Sequence, residues 1–212
     1  MCRIMAVKSK SEVLISDYIR EMASICQSSQ EYQGHGWGII YHQNGSWNEY
    51  KQIDPIWESQ IPNIGVSDLF IIHARSAYQD ELIEIEYNMP YLQSDIVFAF
   101  NGELRGVKIR SQGTIGAQKL FNYFLRFENR GLSNALQTTT EIVQKKSDYI
   151  RAMNIVITDG SKLYVSSLFN ENPDYFTMYY AIGDEKQIVC SETFGSEYNW
   201  LPIENGEMMV IS

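Results

Sequence analysis

The chain has 212 residues, of which 44% are hydrophobic and 13% aromatic, which is enough apolar surface for one large domain with a substantial core. Its net charge of −9 argues against a nucleic-acid partner, because phosphate binding needs clustered Lys and Arg. It contains no apolar run of about 18 residues or more, so no membrane span is predicted, and we expect no signal peptide. Cys2, Cys26 and Cys190 match neither a disulfide framework nor a zinc pattern, which favours a reducing, cytoplasmic setting.

Hydrophobic periodicity and turn signals predict the elements along the chain. In chain order these are a strand over 3–7, a helix over 11–27, a hairpin over 37–51, strands over 69–75 and 96–100, helices over 115–128 and 132–146, and strands over 153–158, 162–168, 176–182, 186–191 and 207–211. Ser9 and Glu12 have the spacing of a capping box before the first helix. Asn44-Gly45 and Asp159-Gly160 are hairpin turn signals. Residues 77–94 lack periodicity and are predicted to form an irregular loop.

The order of these elements predicts the fold class. Strands joined mostly by hairpins, with paired helices in the middle, indicate a layered α+β fold in which helices cover antiparallel sheets. No repeat, linker or low-complexity stretch interrupts the pattern. We therefore expect residues 1–212 to form a single domain.

Cys2 directly follows the initiator Met, and its side chain is small enough for an aminopeptidase to remove Met1. The chain would then begin with a residue that carries both a thiol and a free α-amine, whose unperturbed pKa values are near 8.5 and near 8. The amine can take the proton of the thiol, so one residue supplies nucleophile and base. A chain that keeps Met1 has no free amine at Cys2 and is predicted to be inactive.

Five motifs occur in the order found in class II glutamine amidotransferase domains, which are N-terminal-nucleophile (Ntn) hydrolases. They are the amino-terminal Cys2, GHGWGI at 34–39, IIHARSA at 71–77, AFNGEL at 99–104 and CSETF at 190–194. The resemblance covers nearly the whole chain and is closest to short, stand-alone members related to enzymes that cleave γ-glutamyl amides. It implies a four-layer αββα sandwich of two mainly antiparallel sheets, and hydrolysis of a carboxamide through a Cys2 thioester without a metal or organic cofactor.

The resemblance also implies roles for individual residues. Cys2 is the nucleophile, and the side-chain amide of Asn101 and the backbone N–H of Gly102 form an oxyanion hole. Arg75 binds the α-carboxylate of the substrate, since its planar fork matches a carboxylate. The further residues expected around the substrate are His73, Gly36, Trp37 and Gly116. Ser191-Glu192 is expected to support the site without taking part in the chemistry.

Simpler structural roles remain open for several of these residues. Arg75 fits a salt bridge at the end of a strand. Asn101-Gly102 is a common turn signal. Trp37 fits a core position or the wall of a pocket, and His73 fits a hydrogen-bonded scaffold residue better than a catalytic base.

Two departures from the family pattern bear on the substrate. Relatives usually carry an Asp at the start of the central helix, where it holds the α-ammonium of glutamine. Aligning this helix through Leu120-Phe121 places Gly116 at that position. Met89 replaces a polar residue before Pro90. A γ-glutamyl compound with a modified amino group would lose less from these changes than free glutamine. Alternative sources of the missing charge are Asp80, Glu81 and Glu84.

The sequence therefore predicts an amidohydrolase that releases ammonia or an amine from glutamine or a γ-glutamyl amide. Two alternatives are a γ-glutamyl amide hydrolase that does not use free glutamine, and a degenerate ligand-binding or regulatory subunit of a synthase. No synthase domain is visible, so an enzyme that accepts the ammonia would be a separate chain. Neither a nucleic-acid nor a membrane partner is expected, and a homo-oligomer remains open.

Overall fold

The computed structural model describes residues 1–212 except for the side chain of Asp80. The described part forms two antiparallel sheets and four α-helices. The strands are β1 (Arg3–Leu14), β2 (Trp37–Gln43), β3 (Ser46–Gln52), β4 (Val66–Ala74), β5 (Tyr91–Gln93), β6 (Ile96–Arg105), β7 (Tyr149–Thr158), β8 (Leu163–Ser166), β9 (Tyr179–Ile182), β10 (Lys186–Cys190), β11 (Leu201–Pro202) and β12 (Met208–Ile211). The helices are α1 (Ile15–Ser28), α2 (Gly116–Leu125), α3 (Leu132–Lys146) and α4 (Pro173–Phe176), and within the described part none is long and apolar enough to cross a membrane.

The two sheets differ in size, and β1 lies inside the larger one. The first sheet has the strand order β11-β9-β10-β1-β4-β2-β3, and the second has the order β12-β8-β7-β6-β5. β1 pairs with β10 on one side and β4 on the other. Cys2 directly precedes β1. It therefore lies at one end of the first sheet, next to a central strand.

Three apolar clusters separate four layers. Side chains alternate along β1, so Met5 and Val7 pack beneath α1 while Ile4 and Ala6 pack between the two sheets. The outer face of β6 packs against α2 and α3 in the third cluster. The layers are thus α1, the first sheet, the second sheet and the α2–α3 pair, which confirms the predicted α+β sandwich.

The start of α1 differs from the prediction. Ser9 and Glu12 lie within β1, which continues to Leu14, and α1 begins at Ile15. Ser9 pairs with Lys186 of β10, so strand pairing takes the residues that the local spacing assigned to a helix cap. The capping-box prediction was wrong because long-range pairing outweighed it.

The dipeptide Asn101-Gly102 lies inside β6 and forms no turn. Asn101 pairs with Asn154 of β7, and Gly102 pairs with Met153. A Cβ atom on Gly102 would collide with the carbonyl oxygen of Ala152. Gly is needed at this position because the neighbouring strand approaches too closely for a side chain.

Several other predictions agree with the structure. The hairpins around Asn44-Gly45 and Asp159-Gly160 join β2 to β3 and β7 to β8. The helix predicted over 132–146 is α3, with those bounds. The sequence did not predict β5, α4 or β11, which are each only two to four residues long.

Candidate active site

One end of the layer between the sheets is polar. Ile4 of β1, Ile71 of β4 and Ala99 of β6 belong to the aliphatic cluster between the sheets. Two positions along from these residues stand Cys2, His73 and Asn101. Because alternate residues of an extended chain face the same side, all three side chains face this layer at its polar end.

A cavity of about 850 Å³ opens at the polar end. Its lining includes Cys2, Arg75, Gly102 and Gly116, so the structure brings four of the sequence-predicted residues together. Small-molecule sites commonly have volumes of roughly 300–1,000 Å³. Among the described side chains, no group of three or more His, Cys, Asp or Glu is arranged to hold a metal ion.

The thiol of Cys2 is buried at the cavity wall. The backbone N–H of Ser76 donates to the Cys2 Sγ atom over 3.3 Å. Burial raises the pKa of the Cys2 thiol, while the amino-terminal ammonium, the Ser76 N–H and the Arg75 guanidinium act in the opposite direction. With Met1 in place the nitrogen of Cys2 is an amide, which cannot act as a base.

Met1 is held by an ion pair. Its ammonium lies 2.6 Å from Glu31 Oε2, and the other oxygen of Glu31 accepts a hydrogen bond from Arg151 Nη2 over 2.6 Å. Partial burial alone would raise the pKa of Glu31, but the Met1 ammonium and Arg151 outweigh it and lower that pKa. The hydroxyl of Tyr175 donates to the Met1 carbonyl oxygen over 2.9 Å. No local sequence pattern predicts the roles of Glu31, Arg151 and Tyr175, because their contacts join distant parts of the chain.

Arg3 fixes the backbone that follows Cys2. Its Nη1 atom donates to the carbonyl oxygens of Tyr175 and Ser191, each over 3.1 Å, and its Nη2 atom lies 2.9 Å from Glu192 Oε2. The Ser191 hydroxyl oxygen accepts the backbone N–H of Ile4 over 2.9 Å. Ser191-Glu192 thus contacts the residues next to Cys2, as expected of a supporting segment.

Arg75 presents an unsatisfied cation to the cavity. The residue is only 5% exposed, and among the described atoms its Nη1 has no hydrogen-bond partner. Its backbone is held by Gly36 and His35, since Arg75 N–H donates to the Gly36 carbonyl oxygen and Arg75 O accepts the His35 N–H. Burial lowers the pKa of the guanidinium, but an Arg side chain remains charged in proteins. A buried cation with a free donor beside a cavity fits a carboxylate ligand.

The backbone N–H of Gly102 points away from β7. In an antiparallel ladder, hydrogen-bonded and non-hydrogen-bonded pairs alternate. Met153, opposite Gly102, donates its N–H to the Leu168 carbonyl oxygen, so the Gly102–Met153 pair is a non-hydrogen-bonded one. The Gly102 N–H therefore points to the same side as the Phe100 carbonyl, which is bonded to His73 Nε2 over 3.2 Å.

Asn101 is fully buried, and neither of its side-chain amide atoms has a partner among the described atoms. Its cross-strand neighbour Asn154 uses both, because Asn154 Nδ2 donates to the Phe176 carbonyl oxygen and Asn154 Oδ1 accepts the Leu168 N–H. Buried polar atoms nearly always have hydrogen-bond partners. Asn101 does not itself line the cavity but precedes Gly102, which does.

Two more predicted site residues, His73 and Gly36, do not line the cavity. His73 Nε2 must donate to the Phe100 carbonyl, which only accepts, and burial lowers the pKa of His73 to about 3, so the ring is neutral. His73 is therefore a scaffold residue that links the two sheets. Gly36, with φ of 103°, acts through its carbonyl by holding the Arg75 backbone.

Trp37 also lies away from the cavity. Its side chain belongs to the cluster beneath α1, and its Nε1–H donates to Ser59 Oγ over 2.9 Å. Its cross-strand partner Ala74 belongs to the same cluster. The structure corrects the expectation that Trp37 borders the substrate, because strand alternation turns it to the opposite face from His73.

The fold is similar to that of several solved structures. The glutamine aminotransferase class-II domain protein of Silicibacter pomeroyi has a TM-score of 0.65 and 15% identity, covering 99% of this chain and 94% of that one. The glutamine phosphoribosylpyrophosphate amidotransferase of B. subtilis, solved with ADP and GMP, has a TM-score of 0.72 and 17% identity, covering 99% of this chain and 47% of that one. A predicted glutamine amidotransferase of Pseudomonas aeruginosa has a TM-score of 0.60 and 14% identity, covering 99% and 97%.

No protein-family model and no curated protein sequence matches the chain. At these low identities the structural likeness shows the fold: the chain has the αββα sandwich found in class II glutamine amidotransferase domains.

Proposed function

We propose that the protein hydrolyses the carboxamide of glutamine or of a γ-glutamyl amide through a thioester on Cys2, releasing ammonia or an amine. The observation that carries the proposal is one cavity bordered by a buried thiol, a buried guanidinium with an unbonded Nη1 and a backbone segment at Gly102. These are a nucleophile, an anchor for a carboxylate and a donor for an oxyanion.

The first step begins after Met1 is removed, which frees the α-amine of Cys2. The amine takes the thiol proton, and the thiolate attacks the carbon of the carboxamide. The carbon–nitrogen bond then breaks, the protonated α-amine returns its proton to the departing nitrogen, and a thioester remains on Cys2. Water, deprotonated by the same amine, hydrolyses the thioester and restores the thiol.

The residues around Cys2 stabilise and orient this reaction. The N–H of Gly102 and the amide of Asn101 stabilise the oxyanion, since fixed donors at a developing charge are typically worth a few kcal/mol each. Arg75 holds the carboxylate of the substrate, which sets the distance between the carboxamide and Cys2. Arg3 and Ser191 keep the start of β1 in place.

Ammonia release by purified protein tests the proposal. Intact mass should first show that the chain begins at Cys2. Cys2→Ala should then abolish ammonia release from amide substrates, while Cys26→Ala, which changes a thiol on the buried face of α1, should retain it. Unchanged release by the Cys2→Ala protein would reject Cys2 as the nucleophile.

A second candidate is a domain that binds a small carboxylate without turning it over. The ion pair between the Met1 ammonium and Glu31 favours it, because it suits a chain that keeps Met1. This candidate predicts an intact mass that includes Met1, together with saturable binding of a carboxylate ligand and no ammonia release.

We also propose a cytoplasmic location and, for any use of the ammonia, a separate synthase chain as partner. A homo-oligomer is compatible with the same chemistry. Size-exclusion chromatography with light scattering, on the protein alone and in cell extract, measures both associations.

A further inference from the structure

The cavity is far larger and more apolar than glutamine requires. Its apolar wall includes Met89, Phe100, Val107, Ile115, Ala117 and Leu120. Tyr78 and Leu82 also line the cavity, and these two side chains are 59% and 43% exposed. About 850 Å³ is more than a small polar amino acid fills. Apolar surface that stays in contact with water beside a reactive centre indicates an apolar part of the ligand.

Two of the three carboxylates that the structure describes in the cavity lining pair with cations. Glu31 pairs with Arg151, a contact that does not depend on Met1, and Glu103 accepts a hydrogen bond from Arg105 Nε over 2.6 Å. Glu81 is an exposed lining residue, and the side chain of Asp80 lies outside the described part. Glu84 does not line the cavity in the part that the structure describes.

The region around Gly116 is unsuited to an ammonium group. Gly116 is the first residue of α2, so its surroundings carry the positive end of the helix dipole. The neighbouring Ile115 and Ala117 are apolar and belong to the apolar wall. A Cβ atom placed on Gly116 has no atom within 4 Å, so the site has room for a larger group.

From these observations, and resting on the proposed amide hydrolysis, we propose that the substrate is an N-acylglutamine, a glutamine whose α-nitrogen carries an apolar acyl chain. Arg75 binds its α-carboxylate, and Cys2 attacks its side-chain carboxamide. The acylated nitrogen is neutral and needs no carboxylate partner near Gly116. The acyl chain lies along the apolar wall.

The reaction balances without any further reactant than water. The Cys2 thiolate displaces ammonia from the side-chain carboxamide, and the ammonia takes the proton that the thiol released. Water then cleaves the thioester, giving N-acylglutamate and free thiol. The acyl–nitrogen bond at the α-position stays intact.

A chain-length series tests the proposal. kcat/KM for ammonia release is measured for glutamine, N-acetylglutamine, N-butanoylglutamine and N-octanoylglutamine with protein that begins at Cys2. The expected result is a rise along the acyl series, by at most about fourfold per added methylene, the factor for complete burial of a CH₂ group. A flat or falling series with efficient hydrolysis of glutamine overturns the N-acyl proposal and leaves the amide hydrolysis standing. No ammonia from any of the four compounds overturns both.

A matched pair of variants tests the apolar wall. Val107→Asn should reduce the advantage of N-octanoyl over N-acetylglutamine several-fold. Val210→Asn alters an exposed Val on β12, which is not a cavity residue, and should leave that advantage unchanged. Equal behaviour of the two variants contradicts the assignment. Dissociation constants measured with the corresponding Cys2→Ala double variants give the same comparison independently of turnover.

A second pair of variants tests whether a carboxylate at position 116 restores the selection of a free α-ammonium. Gly116→Asp should shift the preference toward free glutamine over N-acetylglutamine by roughly ten- to hundredfold, the range of a charge-assisted hydrogen bond. Gly116→Asn has nearly the same shape without the charge and should not produce the shift. A strong preference of the unaltered protein for free glutamine overturns the proposal, since it means that another carboxylate already holds the ammonium.

Discussion

Asn101 and Asn154 face each other across β6 and β7, but only Asn154 has its side-chain hydrogen bonds made within the described structure. An amide that is buried without partners lowers stability, so Asn101 is better explained by chemistry than by folding. Replacing each Asn by Ala therefore distinguishes a catalytic role from a structural one.

Asn101→Ala should lower kcat by roughly 10²–10³-fold with little change in KM, because an oxyanion donor acts mainly in the transition state. It should not lower the free energy of unfolding. Asn154→Ala should lower that free energy by about 1–3 kcal/mol, since the Phe176 carbonyl and the Leu168 N–H lose their partner. Steady-state kinetics and urea unfolding of both variants measure this. A loss confined to KM in Asn101→Ala would make it a binding residue.

Arg75→Lys should weaken the binding of substrates that carry an α-carboxylate. Lys keeps the charge but lacks the planar fork for a two-pronged contact. KM should rise for glutamine derivatives and change far less for simple amides without the carboxylate. Equal losses for both kinds of substrate would mean that Arg75 serves the fold alone.

Gly102 and Gly116 differ in the space available for a side chain. A side chain on Gly102 collides with Ala152, whereas a side chain on Gly116 meets open space at the start of α2. Gly102→Ala should lower the free energy of unfolding by roughly 1–3 kcal/mol through overpacking. Gly116→Ala should leave it unchanged or raise it by up to about 1 kcal/mol, since Ala favours a helix over Gly. Thermal unfolding of the two variants measures the difference, and similar destabilisation of both would contradict the strand geometry at Gly102.

Sequence patterns predicted some elements and boundaries but not others. α3 has its predicted bounds because its periodicity and ends are local features. The β1–α1 boundary was missed because Ser9 pairs with a residue of β10 far along the chain. Asn101-Gly102 is also a common turn signal, and only the pairing with β7 distinguishes a strand from a turn at this position. Local sequence signals are insufficient where pairing with a distant strand determines the structure.

His73 connects the two sheets through the Phe100 carbonyl. Burial lowers its pKa from 6.5 to about 3 in the folded protein, so between these values the unfolded chain binds more protons. The stability contributed by neutral His73 is full above pH 6.5 and is lost as pH falls towards 3.

Urea unfolding over this pH range should therefore show a steeper loss of stability for the unaltered protein than for His73→Gln. Gln can donate to the same carbonyl but does not titrate. Parallel pH profiles would contradict a neutral, buried His73.

In the site, too, motifs predicted some of the residues, and contacts between distant residues were not predicted. The motif order predicted that Cys2, Arg75 and Gly102 meet, and the structure places them on one cavity. The sequence did not predict the Glu31–Arg151 ion pair, because the two residues are distant in sequence and belong to no motif. The resemblance placed Trp37 near the substrate, whereas the core position that the sequence also left open is the observed one, because strand alternation turns its side chain to the α1 side.

The claim that Cys2 is the amino-terminal nucleophile is tested most directly by trapping the reaction intermediate. Protein turning over an amide substrate is quenched with acid, digested and analysed by mass spectrometry. The proposed function predicts a chain that begins at Cys2 and carries the acyl group of the substrate on that thiol, in a bond that hydroxylamine cleaves. Ammonia release by a chain that still begins at Met1, or an acyl group found on Cys26 or Cys190 with Cys2 unmodified, would contradict it.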